Sequence, residues 1–439
     1  MNPTAIEAHA KLVLLQWIII IAAAWVFGRL ARRVGQPLAV GEILAGILLG
    51  PSALGLIWPA DWPVVFPKET QQSLQLLGKL GLILLLFQVG MEFDYGHLRA
   101  RSRTVTAVSL AGMLVPFVCG ILIGPWLRRE FAPSLPRFGF QLFLCIALSI
   151  SALPIMGRIL LEMKLERTAI GAMAISAAAI DDVVGWILLA MATALVTSGF
   201  DGWALVKQAG GVLLFFLALQ KLAGPGLRWV WRRTQAANGG AGMTTSYLTL
   251  LLLVLFACCL VSNRLGVFAI FGAFLLGVAL HQQSDLVKAW RDRFAEFVIV
   301  AMVPIFFTNT GLNTEIGALK TPMAWLGFGV VLLAAVAGKL GGCYVGARFT
   351  GQPPRESASI AALMNTRALM GLVAINIGLD LGLLNRELFT MLVLMALITT
   401  AMTEPLLRRF LPAELQAARA GGRAARHSVP VDRAVGPAP

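Results

Sequence analysis

This chain carries little charge. Only 13% of its 439 residues are Asp, Glu, Lys or Arg, against 58% hydrophobic, too little to cover a water-soluble surface over most of its length. Carboxylates are the scarcer kind, 22 against 36 Lys and Arg, for a formal net charge of +14. In a soluble protein that balance would suggest nucleic acid. Here the bases sit in short loops and a basic tail, so orientation in a bilayer accounts for them better, and no nucleic-acid partner is expected. The cysteines (Cys119, Cys145, Cys258, Cys259 and Cys343) all lie inside apolar runs, with neither metal spacing nor a disulfide framework. No small-residue cleavage site follows the first apolar run, Leu12 to Leu30, so it reads as a retained span and not a signal peptide.

What the chain has instead is apolar runs, with a mean hydropathy of +0.79. Bounded by charge or Gly/Pro clusters, they predict an all-α polytopic membrane protein of about 13 spans. The spans are 12–30, 38–57, 74–92, 104–127, 138–161, 168–197, 204–230, 244–262, 265–281, 295–316, 322–346, 357–380 and 387–410. Alternate loops differ in charge. One set holds Arg29, Arg32 and Arg33, then Arg99, Arg101 and Arg103, then Arg158, Lys164 and Arg167. It continues through Lys221, Arg228, Arg232 and Arg233, then Lys288, Arg291 and Arg293, then Arg348 and Arg355. The opposite set holds little beyond Lys68, Arg128, Arg129, Arg137, Arg264, Lys320 and Arg386. The positive-inside rule places the first set in the cytoplasm, so the N-terminus is expected outside and the tail, 412–439, inside as a disordered basic segment. Trp58, Trp62, Trp126, Trp203 and Trp290 fall near span ends, as an aromatic belt requires.

The run Ala169 to Thr197 carries two adjacent carboxylates near its middle, Asp181 and Asp182. On insertion scales each opposes insertion by about 3 kcal/mol. Helix neighbours point about 100° apart, so the two cannot face one partner. One reading is that one carboxylate binds a cation or proton while the other pairs with a buried base. The alternative is a polar network that only fixes helix packing.

Two further spans are interrupted at mid-depth. The fifth contains LSISALPIMGRIL (Leu148 to Leu160), with Ser149, Ser151 and Pro154; the twelfth contains MNTRALMGLVAINIG (Met364 to Gly378), with Asn365, Thr366 and Arg367. The two are seven spans apart, and so are GEILAGILLG (Gly41 to Gly50) and AIFGAFLLGVAL (Ala269 to Leu280). An odd offset makes an inverted repeat of six spans plus six with the seventh, 204–230, as connector. Broken helices in matching halves point to a transporter's binding site, because broken backbone survives at that depth only beside protein or a water-filled cavity. A Pro kink and a polar loop near the interface is the plainer account. Lys339 lies deep in the eleventh span among Gly338, Gly341 and Gly342. It either snorkels to an interface or pairs with a buried acid.

Together GEILAGILLGPSALG (41–55), LSISALPIMGRIL (148–160), AAAIDDVVGWILLA (177–190), FGAFLLGVAL (271–280), VPIFFTNTGLNTEI (303–316) and NTRALMGLVAINIG (365–378) resemble the monovalent cation:proton antiporter superfamily. That superfamily holds bacterial Na+/H+ and K+/H+ antiporters and plant cation/H+ exchangers. The resemblance covers about 12–410 and implies a homodimer in the cell's inner (plasma) membrane. A core (104–197 and 322–410) would move against a dimerising panel (12–92 and 244–316). It implies that Asp182 is the shared cation and proton site, with Asp181 pairing with Lys339, and that Na+ or K+ and H+ are cargo with no cofactor. Two departures stand out. The tail has no GxGxxG and no length for the nucleotide-binding domain of glutathione-gated potassium relatives, and Asp181 stands where many electroneutral or potassium-selective relatives have Asn.

In such a mechanism Asp182 holds a proton or a cation, never both, which is antiport. Ser149, Ser151 or Ser176, with backbone carbonyls, would add oxygens for a hard cation. An electroneutral K+/H+ exchanger is the alternative within the same family, and a Na+-coupled symporter of related fold a further one. An intramembrane aspartyl protease fits poorly, since its two carboxyls must meet and adjacent ones diverge.

Overall fold

The computed structural model describes residues 3–92, 102–163, 165, 168–198, 202–240, 242–266 and 268–412. The tail beyond 412, and the loop bases Arg99, Arg101, Lys164 and Arg167, lie outside the described residues. Among the described residues all regular structure is helical, the only form in which an open apolar chain satisfies its backbone inside a bilayer.

The helices are α1 (Pro3–Arg33), α2 (Leu38–Leu49), α3 (Lys68–Met91), α4 (Ser102–Phe131), α5 (Arg137–Ser149), α6 (Leu153–Met163) and α7 (Ala169–Ser198). They continue with α8 (Gly202–Ala218), α9 (Gly224–Ala237), α10 (Thr245–Arg264), α11 (Ala269–Leu280), α12 (Ser284–Trp290) and α13 (Val303–Leu312). The last are α14 (Pro322–Phe349), α15 (Pro354–Met364), α16 (Ala368–Asp380) and α17 (Arg386–Phe410). Local chemistry sets several starts. Thr244, Thr321 and Asn385 accept the backbone N–H groups of Tyr247, Ala324 and Leu388, and Pro354 occupies the first turn of α15, where its missing N–H costs nothing.

By length and apolarity alone, nine described helices can cross a membrane, or 11 if two bent pairs each count as one span. The thirteen expected spans exceed that count by two, and each difference has a physical reason. The fifth span is divided at 150–152 into α5 and α6, neither long enough alone. The ninth is α11, whose 12 residues extend only about 18 Å against a hydrocarbon core of about 30 Å. Its mate in the first half, α2, is also 12 residues long. The expected connector at 204–230 runs further, through α8, a π-turn at Leu219–Ala223 and α9 to Ala237. Trp290 is another correction. It is fully buried between Phe87 and Phe294, at 4.8 and 4.7 Å, and belongs to the core instead of the aromatic belt.

Packing divides the helices into two groups. In one, α1 lies on α2, α2 on α13, α3 on α11 and α13, and α10 on α11. In the other, α4 lies on α14, α5 and α7, and α15 on α14, α17 and α7, with α16 against α17 and α5. The closest approaches obey the inverted repeat. Span two on span ten (α2·α13) and span three on span nine (α3·α11) exchange under it, and span four on span eleven (α4·α14) maps onto itself. The first two contacts are backbone on backbone: a Cβ at Gly46 would run into the Thr308 carbonyl and one at Gly311 into that of Ile43. Gly90 against Phe274 and Gly277 against Phe87 repeat the arrangement, which glycine alone permits.

Candidate ion site at the helix crossing

The two interruptions meet. Residues 150–152 separate α5 from α6, and 365–367 separate α15 from α16. The Ala152 N–H donates to Thr366 O at 2.7 Å, and Ser151 Oγ lies 3.1 Å from Met364 O. Four half-helix ends therefore face one another in the protein interior, each with backbone groups lacking a partner within its own helix.

The carbonyl end of α5 carries partial negative charge, and two cations cap it. Lys339 Nζ, from α14, donates to Ser149 O at 2.7 Å. The Arg367 guanidinium donates from Nη1 to Leu148 O and, at 3.5 Å, to Ala147 O, and from Nη2 to Ala335 O at 2.7 Å. Both side chains are fully buried. The amide end of α16 is capped by a neutral group: Thr400 Oγ1 on α17 accepts from the N–H groups of Arg367 and Ala368, at 3.2 and 3.1 Å. Asn365 Nδ2 donates to Thr399 O at 3.2 Å, and Thr366 Oγ1 lies 3.2 Å from Thr403 Oγ1. The Asn365 amide is oriented by this bond, so its Oδ1 turns away and accepts no bond from a described residue.

The two carboxylates of α7 are both fully buried and treated oppositely. Asp181 is saturated. Its Oδ1 accepts from Ser109 Oγ at 2.6 Å, and its Oδ2 from Ser151 Oγ at 2.9 Å and Lys339 Nζ at 2.8 Å. Neither oxygen of Asp182 accepts a hydrogen bond from any described residue. The N–H of Leu153, in the first turn of α6, is near enough to act on Asp182 electrostatically but outside hydrogen-bonding geometry.

Of the residues singled out in the sequence, Asp181, Ser149, Ser151, Lys339, Asn365, Thr366 and Arg367 meet at this crossing, with Asp182 beside them. Ser149 takes part through its carbonyl, while its hydroxyl donates back to Cys145 O at 2.7 Å. Ser176 is buried on α7 but stands outside this bonded cluster. Ser109 and the threonines Thr399, Thr400 and Thr403 were missed. The only signal for them is small hydroxyl residues recurring inside apolar spans, one of them in SLAG and three in ITTAMT.

The fold has counterparts. It superposes on the sodium proton antiporter MjNhaP1 of Methanocaldococcus jannaschii with a TM-score of 0.63 at 15% identity, covering 95% of this chain and 99% of that one. That likeness concerns the fold alone. In sequence, the chain is 35% identical over 404 residues to the Na(+)/H(+) antiporter NhaS4 of Synechocystis sp., covering 92% of this chain and 98% of that protein. It is 34% identical over 408 residues to Cation/H(+) antiporter 20 of Arabidopsis thaliana, covering 90% of this chain and 48% of the relative, and so spans about half of that longer protein. The description "sodium/hydrogen exchanger, transmembrane" matches residues 18–409. The chain therefore belongs to the sodium/hydrogen exchanger family, and it is a membrane transporter, not an enzyme.

Proposed function

We propose that the protein exchanges a monovalent cation, Na+ or K+, for protons, and that Asp182 is the shared site. One observation carries this reading: of two adjacent, fully buried carboxylates, Asp181 has three donors and Asp182 has none among the described residues. A bare buried carboxylate is too costly to persist, so Asp182 holds either a proton or a cation, and the two exclude each other. Among the described residues Asn365 Oδ1 is a further unpartnered acceptor at the crossing and supports a cation held there by oxygens. Asp181, Lys339, Ser109, Ser151 and Arg367 brace the crossing. The test is proton release on adding Na+, K+ or Li+ to weakly buffered purified protein. The wild type is expected to release protons as it binds cation, and Asp182→Asn to release none.

Charge counting favours one proton per cation. Lys339 and Arg367 bring two positive charges and Asp181 one negative. Asp182 then contributes zero net charge whether it is protonated or ionised with a cation bound, so the site carries the same charge both ways. Removing the Lys339 proton would strip Asp181 of its charged donor. Exchange is therefore expected to be electroneutral, and proteoliposome flux should not respond to a potential set with valinomycin. A voltage-dependent rate would mean that the Asp181–Lys339 pair opens and Lys339 releases a second proton.

Alternating access follows if the α4–α7 and α14–α17 group moves against the α1–α3 and α10–α13 group. Among the described residues, polar bonds across the seam include Asn376 Nδ2 to Thr310 Oγ1 at 3.2 Å, Lys79 to Asp380 at 3.4 Å, Thr390 Oγ1 to Glu315 O at 3.2 Å and the Glu315 N–H to Thr390 Oγ1 at 3.3 Å. A cavity of about 340 Å³ lined by Gln71, Gln75, Asn313, Asn376 and Asp380 opens along it. The second group would dimerise in the inner membrane, with the N-terminus outside. Arg355, at the start of α15, is exposed. A cysteine at Arg355 should react only from the cytoplasmic side.

A further inference from the structure

The exchange site leaves one buried polar group of α7 without a task. Trp186 is 1% exposed, and its indole N–H donates to no described residue. Buried donors without acceptors are rare because each loses its hydration for nothing. Trp186 stands four residues after Asp182, so both occupy one face of the helix. Long helical side chains lean back over the preceding turn, toward the i−4 residue. This spacing puts the unpartnered donor of Trp186 one turn from the unpartnered acceptors of Asp182. The two do not bond in this conformation, so a side-chain rotation or a bridging water is required to join them. The same indole reaches across the seam, its ring 6.1 Å from that of Phe271 on α11.

We propose that Trp186 is a positioning residue for the exchange. Its indole N–H supports the ionised Asp182 carboxylate, directly or through one water, between loss of the proton and capture of the cation. The inference rests on Asp182 being the shared site. A donor favours the ionised carboxylate over the protonated one without displacing a cation, since a carboxylate accepts about four partners. The charges acting on Asp182 are Asp181 beside it and Lys339 on α14. Arg367 is turned to the carbonyls of Leu148 and Ala335. From the other elements packed on α7, α4 presents Ser109 and α5 its carbonyl end. Lys207 on α8 lies over Trp203, the described side chains of α6 carry no charge, and α15 has its charges in its first turn.

Trp186→Phe keeps a ring against Phe271 and removes the donor. The proton then competes better, so the cation KM should rise roughly tenfold, the scale of one hydrogen bond to a charged group, at pH values where protons compete. KM should return to the wild-type value at alkaline pH, with kcat and Tm unchanged, and Trp186→His should restore part of the loss. A KM unchanged at every pH overturns the proposal. So does a KM raised equally at every pH with a lowered Tm, which is loss of packing only. If the variants do not fold, wild-type protein carries the test. Its cation-induced infrared difference spectrum should show an indole N–H band shifting with the carboxylate bands, and the absence of that band overturns the proposal. Wild-type exchange by Asp182→Asn would instead sink the site itself; a dead Asp182→Asn with normal Trp186→Phe sinks only this inference.

Discussion

The two interrupted spans sit in matching places of the two halves, yet opposite chemistry holds them. The break between α5 and α6 ends in carbonyls that take two buried cations, Lys339 and Arg367. The break between α15 and α16 ends in amides that take a neutral hydroxyl, Thr400. Helix ends themselves carry only about half a charge, so two full cations overcompensate the first break, and Asp181 offsets just one of them. The repeat is symmetric in backbone and asymmetric in charge.

The strongest way to break the comparison is to remove the cations of the first break. Arg367→Ala would remove the guanidinium from the carbonyl end of α5, and Lys339→Gln would leave the Asp181 carboxylate without its ion pair. Each is expected to lower stability by about 3–5 kcal/mol, the scale for breaking a buried charged pair, seen as a large fall in Tm in detergent. Lys339→Gln combined with Asp181→Asn should recover much of that loss, because two neutral amides replace an orphaned charge. No recovery would mean that the pair is not the reason Lys339 is tolerated. At the second break, Thr400→Val keeps the shape and removes one cap. A cost of about 1 kcal/mol is expected, with a modest drop in Tm and transport retained. The smallest effect belongs to Ser109→Ala, which leaves Asp181 two of its three donors and should cost about 1 kcal/mol or less in stability. Should Thr400→Val prove as damaging as Lys339→Gln, the claimed asymmetry between the breaks would be wrong.

Charged residues inside apolar runs made much of the site legible in the sequence. Asp181, Asp182, Lys339 and Arg367 are conspicuous because each is costly there, and the two breaks show as Ser-x-Ser with Pro154 and as Asn-Thr-Arg. The adjacency of the two aspartates showed that they diverge, but not which one Lys339 takes. Only the family resemblance suggested Asp181, and the 2.8 Å contact is with Asp181. The hydroxyls escaped because they are cheap in a membrane helix. Thr400 donates to Ala396 O and Thr399 to Met395 O, one turn back, so such residues need no partner elsewhere and give no warning when they have one. Hydropathy located α11 without showing that it is only 12 residues long, because an apolar run measures burial as readily as span length, and Trp290 sits at a segment end yet inside the protein.

The central claim, that Asp182 alone exchanges proton for cation while Asp181 braces the crossing, is tested most directly in proteoliposomes by cation-driven ΔpH dequenching. Wild type, Asp181→Asn and Asp182→Asn are compared with Na+, K+ and Li+ at equal amounts of folded protein. Asp182→Asn is expected to give no dequenching with any cation, while Asp181→Asn, if it folds, keeps measurable exchange at reduced rate. Cation-driven proton flux at the wild-type level in Asp182→Asn would contradict the account.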